Sequence, residues 1–158
     1  MGAGKTIVGC ELALRLAWSY LDSDEQVQKS TGSTVPEIFA SGGEAAFRAE
    51  EQRALADAVS SAEPVVVSVA GGAVLDLDNR RLISDAGTVV WLRAPVATLV
   101  ERVGDGAGRP LLGDDPAGAL ARLYEERGPL YEELADIVVD VEGLSPEEVV
   151  EEILRQLP

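Results

Sequence analysis

Met1-Gly2-Ala3-Gly4-Lys5-Thr6 opens the chain, and its reading decides the fold. It matches the second half of a phosphate-binding loop, which runs Gly, four free positions, then Gly-Lys-Ser/Thr. Gly4, Lys5 and Thr6 supply the end of that pattern. The first glycine would stand two residues ahead of Met1, and so would the buried strand that delivers the loop. Glycines let backbone N–H groups close on phosphate oxygens, and the helix N-terminus that follows favours anions. The lysine reaches the β- and γ-phosphates, and the threonine hydroxyl ligates Mg²⁺. Taken alone, the same six residues also read as a flexible, glycine-rich N-terminus.

Three apolar runs downstream have the composition of strands buried on both faces, as in a parallel sheet. They are Val65-Val66-Val67-Ser68-Val69, Thr88-Val89-Val90-Trp91-Leu92 and Ile137-Val138-Val139. A weaker fourth run, Ser19-Tyr20-Leu21, ends at Asp22. Residues 5–17 carry Val8, Leu12 and Leu16 at helical spacing. Residues 42–61 are expected to be a helix opened by a capping box at Ser41-Gly42-Gly43-Glu44. Ser145-Pro146-Glu147-Glu148 has the N-cap, first-turn proline and glutamate of a second box. The helix it opens buries Val149, Val150, Ile153, Leu154 and Leu157 on one face. Strand and helix in alternation predict a doubly wound α/β sheet. Residues 104–116 are the one long Gly/Pro/Asp-rich stretch and read as a mobile surface loop or lid. The sequence shows no internal repeat.

At 158 residues with 46% hydrophobic content, one domain with a real core is expected. No apolar run approaches a membrane span, and no basic-then-apolar leader opens the chain, so the expectation is a cytoplasmic protein. Net charge of −15 argues against nucleic acid or an anionic membrane as partner. A chain this acidic must concentrate its few cations where it binds phosphate. It has two lysines, and one of them is Lys5. With no histidine, a general base must be a carboxylate, a lysine, a tyrosine or the cysteine. The single cysteine, Cys10, excludes an internal disulfide and a Cys/His zinc site. It is expected to pack among apolar residues of the first helix.

Several short constellations point to chemistry, and each has a plainer reading. Asp22-Ser23-Asp24 follows a strand, where period-two geometry puts both carboxylates on one face. Ligands sit at the carboxyl ends of strands in open α/β sheets. One carboxylate would hold a metal through water while the other takes a hydroxyl proton. An N-cap and turn would use the same residues. Glu44, Arg48 and Glu51 share a helical face, where two acids would hold a guanidinium ready to fork a carboxylate. Ordinary surface ion pairs have that spacing too. Ala70-Gly71-Gly72-Ala73-Val74 ends a strand and admits a ligand close to the backbone, or makes a tight turn. Arg109-Pro110-Leu111-Leu112 places a cation in the candidate lid. Arg127-Gly128-Pro129-Leu130-Tyr131 places another where a helix is expected to break.

In this order and spacing, these segments resemble the shikimate kinase family over essentially the whole chain. The resemblance rests on residues 1–6, Asp22-Ser23-Asp24, Ile38-Phe39-Ala40, Gly43-Glu44-x-x-Phe47-Arg48-x-x-Glu51, Gly71-Gly72-Ala73-Val74, Arg109-Pro110-Leu111-Leu112 and Glu126-Arg127-x-Pro129-Leu130-Tyr131. It implies a P-loop kinase fold, a three-layer α/β/α domain over 1–158 with a parallel sheet of order 2-3-1-4-5. It implies a substrate region at about 22–51 and a lid at about 104–116. The implied reaction transfers the γ-phosphoryl of ATP to the 3-hydroxyl of shikimate, a step toward chorismate and the aromatic amino acids, in a cytoplasmic monomer.

Site roles follow residue by residue from that resemblance. Gly2, Ala3, Gly4, Lys5 and Thr6 would handle the phosphates, with Thr6 and Asp22 on Mg²⁺. Asp24 would bind the accepting hydroxyl and act as its base. Arg48 and Arg127 would clamp the shikimate carboxylate, and Gly71 and Gly72 would lie against the ring. Arg109 would swing in with the lid to neutralise charge, and Arg102 and Pro146 would flank the adenine. Phosphoryl transfer asks mostly for positioning and charge neutralisation, which this set supplies.

The chain departs from the family at Ala70, where the first of three glycines is usual, and at strand 1, which would lie ahead of Met1. A methyl at Ala70 would crowd the substrate or only stiffen the turn. Without the central strand, a gap is expected between the strands at 65–69 and 88–92, with lowered stability. The upstream DNA is then expected to encode an in-frame apolar run ending in Gly and one further residue. Two rivals share these features: a gluconate-type kinase of the same fold, and a non-catalytic remnant acting as a binding module. The gluconate-type kinase would not need the Phe47-Arg48-x-x-Glu51 and Arg127 segments. The remnant would not need Lys5, Asp22, Asp24, Arg48, Arg109 and Arg127 all retained.

Overall fold

The structure, a computed structural model, describes residues 1–104, 106 and 111–158. Helix α1 (Lys5–Leu16) is followed by β1 (Ser19–Asp22), α2 (Ser23–Thr31), α3 (Val35–Val59) and β2 (Val65–Ser68). A short 3₁₀ turn, Ala73–Leu75, leads into α4 (Leu77–Ala86). Then come β3 (Val90–Arg93), α5 (Val96–Val103), α6 (Pro116–Leu134), β4 (Ile137–Asp140) and α7 (Pro146–Gln156).

The strands pair in parallel, as their β-branched runs and the intervening helices require. Ser19 through Asp22 lie opposite Val65 through Ser68. Val90 through Arg93 lie opposite Ile137 through Asp140. Among the described residues these are two separate two-stranded sheets, and no ladder joins β2 to β3. This is the gap expected between 65–69 and 88–92. Side chains bridge it. Val8 and Leu12 of α1, Ile137 and Val139 of β4, and Val149, Val150 and Ile153 of α7 form one buried cluster, with Val66 of β2 packed against it. Each such aliphatic side chain contributes about 1.5–3 kcal/mol by leaving water. A second cluster, Val27, Ile38, Phe47 and Ala54, joins α2 to α3. It braces the helix that carries Arg48.

Four local expectations are corrected. The capping box ahead of residues 42–61 is absent; the box belongs to Thr34 and Glu37, where α3 starts. Ser41 Oγ instead donates to the Ile38 carbonyl at 3.3 Å, and Glu44 is engaged by Arg48. Gly43, at φ 70° and ψ −171°, breaks α3 into two segments, a conformation that favours glycine. Asp22 and Asp24 do not share an extended strand, because α2 begins at Ser23 and Asp22 is its N-cap. Nor does a helix break at 127–131. α6 runs through Pro129, and Arg127 and Gly128 are buried within it. Finally, Cys10 is exposed, since the buried face of α1 is the one carrying Val8, Leu12 and Ala13. The box at Ser145 and Glu148 is present as expected.

Candidate active site

The loop at the front of α1 is shaped by two glycines in the left-handed region, Gly2 at φ 75° and Gly4 at φ 92°. A Cβ at Gly2 would stand 3.1 Å from the Leu99 carbonyl oxygen, so a side chain there strains the loop twice over. No side chain caps α1 at Gly4, which leaves its first N–H groups directed at whatever lies ahead of the helix. Lys5 makes no ion pair among the described residues. Next to it, Thr6 Oγ1 donates to Asp22 Oδ2 at 3.5 Å. Two hard oxygen donors thus stand side by side at the end of β1. No group of three or more His, Cys, Asp or Glu able to hold a metal occurs among the described residues. The Thr6–Asp22 pair fits Mg²⁺, which prefers one or two protein oxygens plus phosphates and waters to an all-protein cage.

Asp22, Ser23 and Asp24 each hold a different part of the site. Asp22 Oδ1 accepts the Asp24 N–H at 3.0 Å and so starts α2. Ser23, only 1% exposed, accepts the Ala70 N–H on its Oγ at 2.9 Å. That bond ties the acidic turn to the glycine turn after β2. Burial raises the pKa of Asp24 above the usual carboxylate range, and the charge of Asp22 adds to this. Lys5 and Arg48 oppose the shift. The result is a carboxylate more basic than a solvated one, in the field of two cations, Lys5 and Arg48.

Arg48 is held from two sides. Its Nη1 donates to Glu51 at 2.7 Å and its Nη2 to Glu44 at 3.0 Å. Its guanidinium carbon lies 5.3 Å from the centre of the Phe47 ring. Burial lowers the Arg48 pKa, but the Glu51 and Glu44 bonds outweigh it and the net shift is upward. The forked edge of the guanidinium faces Gly72, where a Cβ would come within 2.5 Å of its Cζ and closer to both terminal nitrogens. Gly72 has φ −85°, so its glycine is required by space and not by backbone conformation. Glu51 is fully buried, and its pKa is raised by burial, with Arg48 opposing.

Arg127 enters the same pocket from α6. It is 5% exposed, and a Cβ on Gly71 would lie 3.9 Å from its Nη1. One turn on, the Tyr131 hydroxyl donates to the Gly71 carbonyl at 2.7 Å. Burial raises the Tyr131 pKa, and the charge of Arg127 opposes it. Among the described residues, Glu51 Oε1 and Arg127 Nε are buried without a hydrogen-bond partner, and Arg127 Nε stands 3.8 Å from Glu126 Oε2. Buried polar atoms of this kind are normally satisfied, so the pocket is built for polar contents. Ala70 sits beside it with 9% exposure and without a positive φ, so its methyl is accommodated without strain.

Two more expected residues lie on α5 and α7. Arg102 donates to the Val141 carbonyl at 3.3 Å, just before α7. Pro146, the first residue of α7, lines a groove of about 420 Å³ with Thr6, Ile7, Cys10 and Leu14. Arg109 lies outside the described residues. Leu112 is 2% exposed and belongs to the main buried cluster. Tyr131 stands in a segment singled out from the sequence, but neither it nor Tyr20, Ser23 or Ser68 was given a role there. Spacing was the available signal: Tyr131 is four residues from Arg127 on one helix face, and Tyr20 is two from Asp22 on one strand.

Comparison with known proteins identifies the family. A family model described as shikimate kinase matches residues 1–158. The chain is 43% identical over 158 residues to a shikimate kinase from Halorhodospira halophila, covering 99% of this chain and 89% of that one. It is 45% identical over 159 residues to one from Ruegeria pomeroyi, covering 99% and 80%. Among solved structures, shikimate kinase from Acinetobacter baumannii in complex with shikimate superposes with a TM-score of 0.94 at 36% identity, covering 98% of this chain and 87% of that one. The Aquifex aeolicus shikimate kinase gives a TM-score of 0.86 at 38% identity, covering 99% and 90%.

Proposed function

This chain belongs to the shikimate kinase family, and we propose that it transfers the γ-phosphoryl group of ATP to the 3-hydroxyl of shikimate. The observation that carries the reading is the Arg48 guanidinium, pinned by Glu44 and Glu51 with its forked edge facing Gly72. A fixed, charged fork in a half-buried pocket suits a small carboxylate. Arg127 supplies the second cation from α6, with its Nε 3.8 Å from Glu126 Oε2 in an ion pair.

Gly2, Ala3, Gly4 and Lys5 hold the nucleotide phosphates, with Arg102 and Pro146 toward the base. Thr6 and Asp22 would hold Mg²⁺, which supplies neutralisation of phosphate charge when bound. Asp24 binds the 3-hydroxyl and accepts its proton as the oxygen attacks the γ-phosphorus and ADP departs. Its raised pKa suits that task, since a proton acceptor works best when its pKa approaches the working pH. Arg109 would neutralise the transferring group from the lid, a role that rests on the family resemblance. The lid itself, about residues 104–116, would exclude water from the phosphoryl group.

The acidic surface, with net charge −15, fits a cytoplasmic monomer that binds neither nucleic acid nor membrane. No helix among the described residues is long and apolar enough to cross a membrane. Coupled measurement of ADP release with shikimate, and with gluconate as competitor, tests the substrate. Turnover with gluconate alone would overturn the assignment.

A further inference from the structure

Tyr20 and Asp22 are two residues apart on β1, so their side chains share the face on which α1 packs. The Tyr20 hydroxyl lies 3.2 Å from Asp22 Oδ2 and 2.9 Å from Ser68 Oγ. Ser68 is itself 6% exposed, and its hydroxyl reaches the Lys5 carbonyl at 3.3 Å. Gly9 makes the room: a Cβ there would stand 2.7 Å from Tyr20 Cε2. One phenol therefore links the acid at the end of β1, the neighbouring strand β2 and the backbone of the phosphate loop.

From this geometry we propose that Tyr20 is a positioning residue for the divalent-cation site, aiming Asp22 Oδ2 at the oxygen of Thr6. The inference rests on the reading of Asp22 and Thr6 as the Mg²⁺ pair. Asp22 has two oxygens with separate duties. Oδ1 is committed to the Asp24 N–H, and Oδ2 is the one left to face Thr6. A phenol has one proton to give, and a carboxylate is a stronger acceptor than a serine hydroxyl. The proton goes to Asp22, and Ser68 turns its own proton toward Tyr20 or the Lys5 carbonyl. Removing the phenolic oxygen leaves Oδ2 free to rotate away from Thr6 within the limits that the Oδ1 bond allows. Partners that orient a metal-holding carboxylate typically change metal affinity by about 10–100-fold when removed. The retained Oδ1 bond puts Tyr20 at the lower end.

The test compares the Tyr20→Phe protein with the unaltered one by calorimetric titration of ADP across a series of Mg²⁺ concentrations and without Mg²⁺. Tyr20→Phe is expected to raise the Mg²⁺ concentration for half-maximal enhancement of ADP binding about tenfold. Metal-free ADP affinity and the KM for shikimate should stay within twofold. An unchanged Mg²⁺ dependence would overturn the proposal. So would an equal loss of metal-free and metal-dependent binding, or a failure to fold, either of which makes the hydroxyl a structural element. Asp22→Asn separates this proposal from its premise. If Asp22→Asn also leaves the Mg²⁺ dependence unchanged, the metal assignment itself has failed; if it alone raises the requirement, only the role of Tyr20 has.

Discussion

Replacing Gly72 by alanine puts the clamp under a defined load. The backbone tolerates alanine, because φ is −85°. The new methyl does not fit, because it would stand 2.5 Å from Arg48 Cζ and closer still to both terminal nitrogens. To regain ordinary separation of about 3.5–4 Å, the guanidinium must retreat by about 1 Å or more. Such a retreat stretches its 2.7 Å bond to Glu51 beyond hydrogen-bonding range. The guanidinium is the far end of a flexible side chain, so the fold survives while the clamp is misplaced. Losing one charge-assisted arm costs about 1.5–3 kcal/mol of substrate interaction, which is roughly ten- to a hundredfold in affinity. Steady-state kinetics should show the shikimate KM rising by that factor with the ATP KM nearly unchanged. In an Arg48→Ala background, Gly72→Ala should add almost nothing, because the two changes act on one contact. An unchanged shikimate KM, equal rises for both substrates, or full additivity of the pair would mean that Gly72 does not set the position of Arg48.

Three further outcomes follow from the same geometry. Arg48→Ala should weaken shikimate by about 1.5–3 kcal/mol with little change in ATP affinity; equal loss of both, measured by titration of each ligand, would assign Arg48 a structural role. Asp24 and Glu51 both have raised pKa values, so the folded state holds protons that the unfolded state releases. Their stabilising contribution is complete below the unfolded-state pKa and is lost as pH rises through the raised one. Asp24→Asn should therefore raise the thermal midpoint at neutral pH while abolishing turnover. The acid limb of the unaltered enzyme's kcat/KM profile should lie above the usual carboxylate range. Ser23→Ala leaves the buried Ala70 N–H without its acceptor, at a cost of about 1–3 kcal/mol visible in denaturant unfolding. It should also raise the shikimate KM by loosening the glycine turn.

The sequence carried the site further than it carried the local structure. Lys5, Thr6, Asp22, Asp24, Arg48 and Arg127 were legible because each sits in a short pattern with a chemical purpose. The pairing of Arg48 with Glu44 and Glu51 was legible from helical spacing alone. Contacts between distant segments were not. Ser23 meets Ala70 across 47 residues, and Tyr131 meets Gly71 across 60. Neither distance leaves a periodic trace. The capping box was misplaced because Ser41 and Glu44 have the right spacing, while the positive φ of Gly43 between them breaks the helix. Pro129 suggested a helix end, yet the buried Arg127 and the Tyr131 bond to Gly71 hold α6 together across it. Cys10 looked like a packing residue because its neighbours are apolar. Ile7 and Leu14, at 63% and 74% exposure, share that outward placement.

On the proposed reading, the residues around Arg48 and Arg127 and the Gly4–Thr6 loop serve one reaction, phosphorylation of shikimate. ADP release measured with ATP and Mg²⁺, with and without shikimate, tests it most directly. ADP release should depend on shikimate, saturate with it and disappear in Asp24→Asn. ADP release indifferent to shikimate in a folded, ATP-binding protein would contradict it.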